Sequence, residues 1–150
     1  MENKYYTPEI EELRVGFEYE EDVHGNNKWN KKIIKPTNIT QVCKDLLDDI
    51  RLSEENEYTF RVKYLTKEDI EECGFVHLKE DGSELNFQKI VDDYSFYEIA
   101  YDLDEQLLTI EYYYQPEMVA EVTGHVNSAI RFKGTIKNKS ELKQILKMIL

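Results

Sequence analysis

The sequence predicts an α+β fold, a mainly antiparallel β-sheet with two to three helices packed on one face. Several segments alternate apolar and polar residues with the period of two that a half-buried strand requires. Others repeat apolar residues three and four apart, as an amphipathic helix does. Short turn signals between neighbouring strand segments favour hairpins, and so an antiparallel sheet with helices on one side.

The first strand is "ELRVGFEYE", where Leu13, Val15, Phe17 and Tyr19 fall on one side and Arg14, Gly16, Glu18 and Glu20 on the other. "DVHGNN" is a turn, followed by a second strand around "KWNKKIIK" that Pro36 stops. In "PTNITQVCKDLLDDIRL" the spacing of Ile39, Val42, Leu46, Leu47 and Ile50 predicts a helix with Thr37 or Asn38 as N-cap. "EYTFRVKYL" returns to strand alternation, with Tyr58, Phe60, Val62 and Tyr64 set against Thr59, Arg61 and Lys63.

"TKEDIEECG" predicts a short helix: Thr66 is the N-cap, Asp69 stands three residues on, and Gly74 closes it. A strand at "FVHLK" and a turn at "EDGS" follow. "ELNFQKIVDDY" fits a helix or a strand equally. "SFYEIAYDL" and "QLLTIEYYY" predict a hairpin about Asp104 and Glu105, with Tyr112 and Tyr114 facing the core and Tyr113 with Glu111 on the other side. "MVAEVT" and "SAIRFKGTI" form another strand pair around "GHVN". "KSELKQILKMIL" is a closing helix with Ser140 as N-cap, an apolar stripe of Leu142, Ile145, Leu146 and Ile149, and Lys139, Lys143 and Lys147 on another face.

At 150 residues, with no Pro- or Gly-rich linker and no repeat, residues 1–150 read as one domain. The opening "MENKYYTPEIEELR" has neither a cationic start nor an apolar run, and no segment is apolar enough to span a bilayer, so the expectation is a cytoplasmic protein without membrane contact. Cys43 and Cys73 stand in no metal or disulfide spacing and are expected to be reduced, apolar residues.

The net charge of −12 disfavours general nucleic-acid binding. Charge is also uneven. Residues 76–121 hold twelve acidic side chains against Lys79 and Lys89, whereas residues 122–150 hold six basic ones against Glu141. Arg131, Lys133, Lys139, Lys143 and Lys147 are therefore the candidate anion contacts. Tyr97, Glu98, Tyr101, Asp102, Glu111 and Tyr113 are the candidate protein interface, because tyrosines give large contact area with little rotamer entropy to lose and the acids would steer a basic partner.

Catalytic signals are weak. His24, His77 and His125 are isolated, and no GxSxG elbow or nucleotide-binding glycine loop is present, so no cofactor and no enzymatic role are expected. Glu18 and Glu20 share a strand face about 7 Å apart and could hold a hard cation such as Mg²⁺. Their "GxExE" pattern resembles the first metal-binding strand of carboxylate-amine ligases related to glutamine synthetase, which are much longer chains.

"YYTPEIEELRVGFEYE" with Trp29 shortly after, "RVKYLTKEDIEECGF", "YDLDEQLLTI" and "FKGTIKNKSELKQILKMI" together resemble small uncharacterised proteins of phages and prophages of gut Bacteroidota. The resemblance implies a mobile-element accessory protein in a bacterial cytoplasm and brings no activity or functional residue with it. The resulting expectation is a non-catalytic protein that binds a host protein, such as a defence component, through its acidic, tyrosine-rich surface. In a variant of that reading the acidic surface meets the basic helix of a second copy, giving a homo-oligomer. The alternative is a nucleotide-sequestering or metal-dependent small-molecule site at Glu18 and Glu20.

Overall fold

A computed structural model of the protein describes residues 4–52, 59–115 and 127–150. The fold is α+β, with antiparallel sheets of four and five strands and three α-helices among the described residues. The chain divides into two compact units, Met1–Tyr64 and Leu65–Leu150. The step from Tyr64 to Leu65 carries no Pro, Gly or Ser run, so composition does not mark it.

The first unit contains β1 (Tyr5–Tyr6), a 3₁₀ turn (Ile10–Glu12), β2 (Glu18–Glu21), β3 (Asn30–Ile33), α1 (Ile39–Leu52) and β4 (Phe60–Lys63), with sheet order β1-β4-β2-β3. Its core is Phe17, Tyr19, Ile34, Val42, Leu46, Phe60 and Val62. The helix therefore buries Val42 and Leu46 of its expected stripe, whereas Leu47 and Ile50 stay exposed.

The first strand starts later than its alternation suggests. Gly16 takes φ +88°, a left-handed value that L side chains resist, and the Phe17 N–H closes a turn on the Arg14 carbonyl (3.0 Å). That turn breaks the period of two, so Val15 is 52% exposed while Phe17 and Tyr19 are buried. Asn38 occupies the N-cap position of α1: its carbonyl accepts from the Val42 N–H, and its side chain turns back to accept from the Lys35 N–H (2.7 Å).

The second unit runs α2 (Lys67–Glu71), β5 (Val76–Asp81), β6 (Glu84–Asp92), β7 (Ser95–Asp102), β8 (Leu107–Tyr114), β9 (Asn127–Thr135) and α3 (Lys139–Ile149). Its five strands form a meander in chain order. Leu85, Phe87, Ile99, Tyr101, Leu108 and Ile110 point to one face and form a core with Ile70 of α2 and Leu142 and Leu146 of α3. Both helices thus lie on the same side of this sheet. The ambiguous segment is β6, since pairing with β5 and β7 satisfies its backbone while Leu85 and Phe87 reach the core. "SAIRFKGTI" pairs with β8, and "MVAEVT" lies outside the described residues.

Local punctuation decides the helix starts. Thr66 and Asp69 form the expected capping box of α2. In α3 the N-cap is Asn138 rather than Ser140, its side chain accepting from the Glu141 N–H (3.0 Å). Asn138 is 1% exposed, and Asn138→Ala leaves the Glu141 N–H without its cap and should cost about 1–2 kcal/mol of stability, read by urea denaturation. The β7–β8 turn holds Gln106 at φ 55°, and Gln106→Gly should raise stability by up to about 1 kcal/mol by relieving that conformation. Among the described residues no helix is long and apolar enough to cross a membrane.

Candidate functional site

The helices cover one face of the five-stranded sheet, which leaves the other to be characterised by its side chains. Strand alternation sends Gln88 and Ile90 of β6, Phe96 and Glu98 of β7, Glu111 and Tyr113 of β8, and Ile130 of β9 to that outer face. The register sets Glu98 directly opposite Glu111, with Val76, Gln88 and Ile130 completing the row. In the next row Ile90, Phe96 and Tyr113 are neighbours, and the Phe96 and Tyr113 rings stack at 4.9 Å. Ile90 is 72% and Ile130 62% exposed, so apolar surface borders the two acids.

Two like charges directly opposite on adjacent strands are destabilising. Among the described residues neither Glu98 nor Glu111 forms an ion pair. Glu111 is relieved by a hydroxyl: Tyr113 donates to its Oε2 at 3.0 Å. Burial, the hydrogen bond to Glu111 and the two negative charges push the Tyr113 phenol up to about 12.

A raised phenol keeps the neutral form in the folded state, so its contribution to stability is complete below the unfolded pKa near 10 and is lost as pH rises toward about 12. Glu111→Gln removes the hydrogen-bonded carboxylate and should move the Tyr113 ¹³Cζ titration midpoint down. An unchanged midpoint would show that the carboxylates do not govern this tyrosine.

Of the six expected interface residues, three gather here: Glu98, Glu111 and Tyr113. Tyr101 does not reach the surface. It shares the parity of Ile99, is 1% exposed, and donates to the Ile136 carbonyl at 3.1 Å, which makes it a core residue. Tyr97 lies on the helix-covered face too, its ring 4.8 Å from Tyr112 and its hydroxyl donating to the Ile149 carbonyl at 3.4 Å. Asp102 has outer-face parity but serves the β7–β8 turn, accepting from the Asp104 N–H (2.8 Å) and Glu105 N–H (3.0 Å). Those bonds hold its carboxyl below the usual carboxylate range, with the Glu105 N–H as the largest cause.

The expected anion contacts do not form one cluster. Lys139 pairs with Glu72 and lies 3.7 Å from Asp69, tying α3 to α2. Arg131 occupies the β8–β9 bulge with its guanidinium carbon 5.3 Å from the Tyr112 ring, and Lys133 stands opposite Thr109 on the outer face. Lys143 and Lys147 follow one and two turns along α3. Burial raises the Cys73 thiol, with Lys139 and Lys143 pulling the other way, so this cysteine is not an activated nucleophile.

Glu18 and Glu20 do share a face of β2, but that face is compensated by cations. Glu20 accepts from Arg61 Nε at 2.6 Å, directly across the β2–β4 pairing. Among the described residues no group of three His, Cys, Asp or Glu could hold a metal ion. His77 packs edge-on against Phe87 (5.3 Å), His24 is exposed in its turn, and His125 lies outside the described residues.

Sequence reasoning placed Arg61 on the polar side of its strand and went no further. The structure puts its guanidinium carbon 3.8 Å from the Tyr5 ring centre and 3.9 Å from that of Trp29. These residues come from three separate segments, and only strand pairing and the Trp29 loop bring them together. Comparison of the chain with protein-family models, with curated proteins and with solved structures gives no match.

Proposed function

We propose that the protein is a non-catalytic accessory protein, of the phage and prophage kind its sequence resembles, that binds a host protein in the bacterial cytoplasm. The surface it uses is the outer face of the five-stranded sheet. The observation that carries this reading is the Glu98–Glu111 pair, held face to face and bordered by exposed Ile90 and Ile130.

An arginine or lysine from a partner would neutralise both carboxylates, while its flanking residues would cover the apolar border and the Phe96–Tyr113 stack. Restriction of a defence component by charge mimicry is a natural use of such a surface. Folding gains nothing from opposing two carboxylates, so a binding role accounts for what a stability role does not.

The test compares wild-type protein with the Glu98→Gln/Glu111→Gln double variant as bait in bacterial lysate, at low and high salt, with the oligomeric state of each measured by light scattering. The proposal expects a specific protein that wild type retains at low salt, that salt releases, and that the double variant does not retain. The variant itself should fold at least as stably, because a like-charge pair worth up to about 1 kcal/mol has been removed. Retention of the same protein by both baits would refute the assignment of this face. A salt-sensitive dimer of the wild type alone would replace the host partner with a second copy.

A further inference from the structure

We propose that Arg61 is the recognition residue of an oxyanion site on the outer face of the four-stranded sheet, suited to a phosphate dianion. A guanidinium is planar and carries five N–H donors in a rigid fork. Its carbon lies 3.8 Å from the Tyr5 ring centre and 3.9 Å from that of Trp29, so two aromatic rings pack against it. Nε donates to Glu20 at 2.6 Å, which fixes rotation within the plane.

What remains is the edge formed by Nη1 and Nη2. The side chain is 26% exposed, and among the described residues Nε to Glu20 is its hydrogen bond, with the Nη edge unpartnered. Folding has already immobilised this long side chain, so an anion meeting the fork does not bear that entropy loss.

The charges around Arg61 favour a dianion. Lys31 stands opposite Glu20 across β2–β3, and Lys63 lies two residues from Arg61 on the same side of β4. This face therefore sets Arg61, Lys31 and Lys63 against Glu18 and Glu20, a net of +1 on a chain of −12. A phosphate dianion gains about twice what a carboxylate gains from such a field. Glu20 acts here by holding the arginine and not by holding a metal. This site is independent of the protein-binding face proposed above.

Trp29 is the sole tryptophan, so its emission reports directly on this stack. Wild-type protein is titrated with inorganic phosphate and separately with acetate, at ionic strength held constant with sodium chloride. Side-chain ¹⁵N resonances of arginine are followed in parallel. The expected result is a saturable change in Trp29 emission with phosphate, a shift of the Arg61 side-chain signals, and binding of acetate weaker by about tenfold. Arg61→Lys, which keeps the charge and loses the fork, should abolish the saturation. A wild-type phosphate titration indistinguishable from the chloride control, with unmoved Arg61 signals, would overturn the proposal without reference to any variant. Acetate binding as tightly as phosphate would overturn the choice of ligand.

Discussion

Truncating Phe87 to alanine should lower the unfolding free energy by about 3–5 kcal/mol, the largest loss expected from any single change considered. Phe87 is fully buried in β6, sits opposite Ile99 of β7, and receives the edge of the His77 ring at 5.3 Å. It belongs to the cluster that includes Ile70 of α2 and Leu142 and Leu146 of α3. Its removal leaves a cavity between sheet and helices that neighbours held by backbone pairing on both sides cannot collapse to fill. Urea denaturation followed by far-UV circular dichroism reads the loss. A change below about 1 kcal/mol would mean that the helices do not pack on this side of the sheet.

Replacing Asp69 by alanine should cost about 2–3 kcal/mol, because one carboxylate serves three partners. It accepts from the Thr66 N–H (3.0 Å) and the Thr66 hydroxyl (2.9 Å), and it lies 3.7 Å from Lys139 Nζ. Asp69 is 7% exposed, so its loss strands a donor in a site that water fills poorly. Asp69→Asn keeps an acceptor for the cap and loses only the charge, and should cost less. If the two substitutions were equally harmful, the ion pair rather than the cap would be the source of stability. Because α2 and α3 brace the inner face of the sheet that carries Glu98 and Glu111, these variants also test whether a rigid platform is needed for partner binding.

Much of the architecture was legible in short stretches. Alternation in "EYTFRVKYL" placed Phe60 and Val62 inside, where they are buried. Thr66 and Asp69 announced the start of α2 because a capping box is a local hydrogen-bond exchange. The hairpin of β7 and β8 followed from two alternating runs around Asp104 and Glu105, with the opposite facing of Tyr112 and Tyr113 given by parity. Where the local signal is doubled it leaves two alternatives open, and where it is broken it misleads. "ELNFQKIVDDY" carries both periods, and only neighbours on both sides made it a strand. Gly16 interrupts an apparently perfect alternation, because a positive φ is a property of the backbone that residue spacing does not express.

The candidate sites divide along the same line. The sequence by itself determined that Glu111 and Tyr113 share a strand face, since parity is a local fact, whereas it grouped Glu98 with Tyr97, Tyr101 and Asp102 without separating the two faces of their strand. It also determined the acidic middle and basic end of the chain. Tertiary structure alone decided that Tyr101 is a core residue and that Lys139 is bound to Glu72 and Asp69. It alone decided that Glu20 faces an arginine packed against both Tyr5 and Trp29. The physical reason is range: periodicity and capping act over a few residues along the chain, whereas ion pairs and ring stacks form between segments that only strand order and register bring within 4 Å.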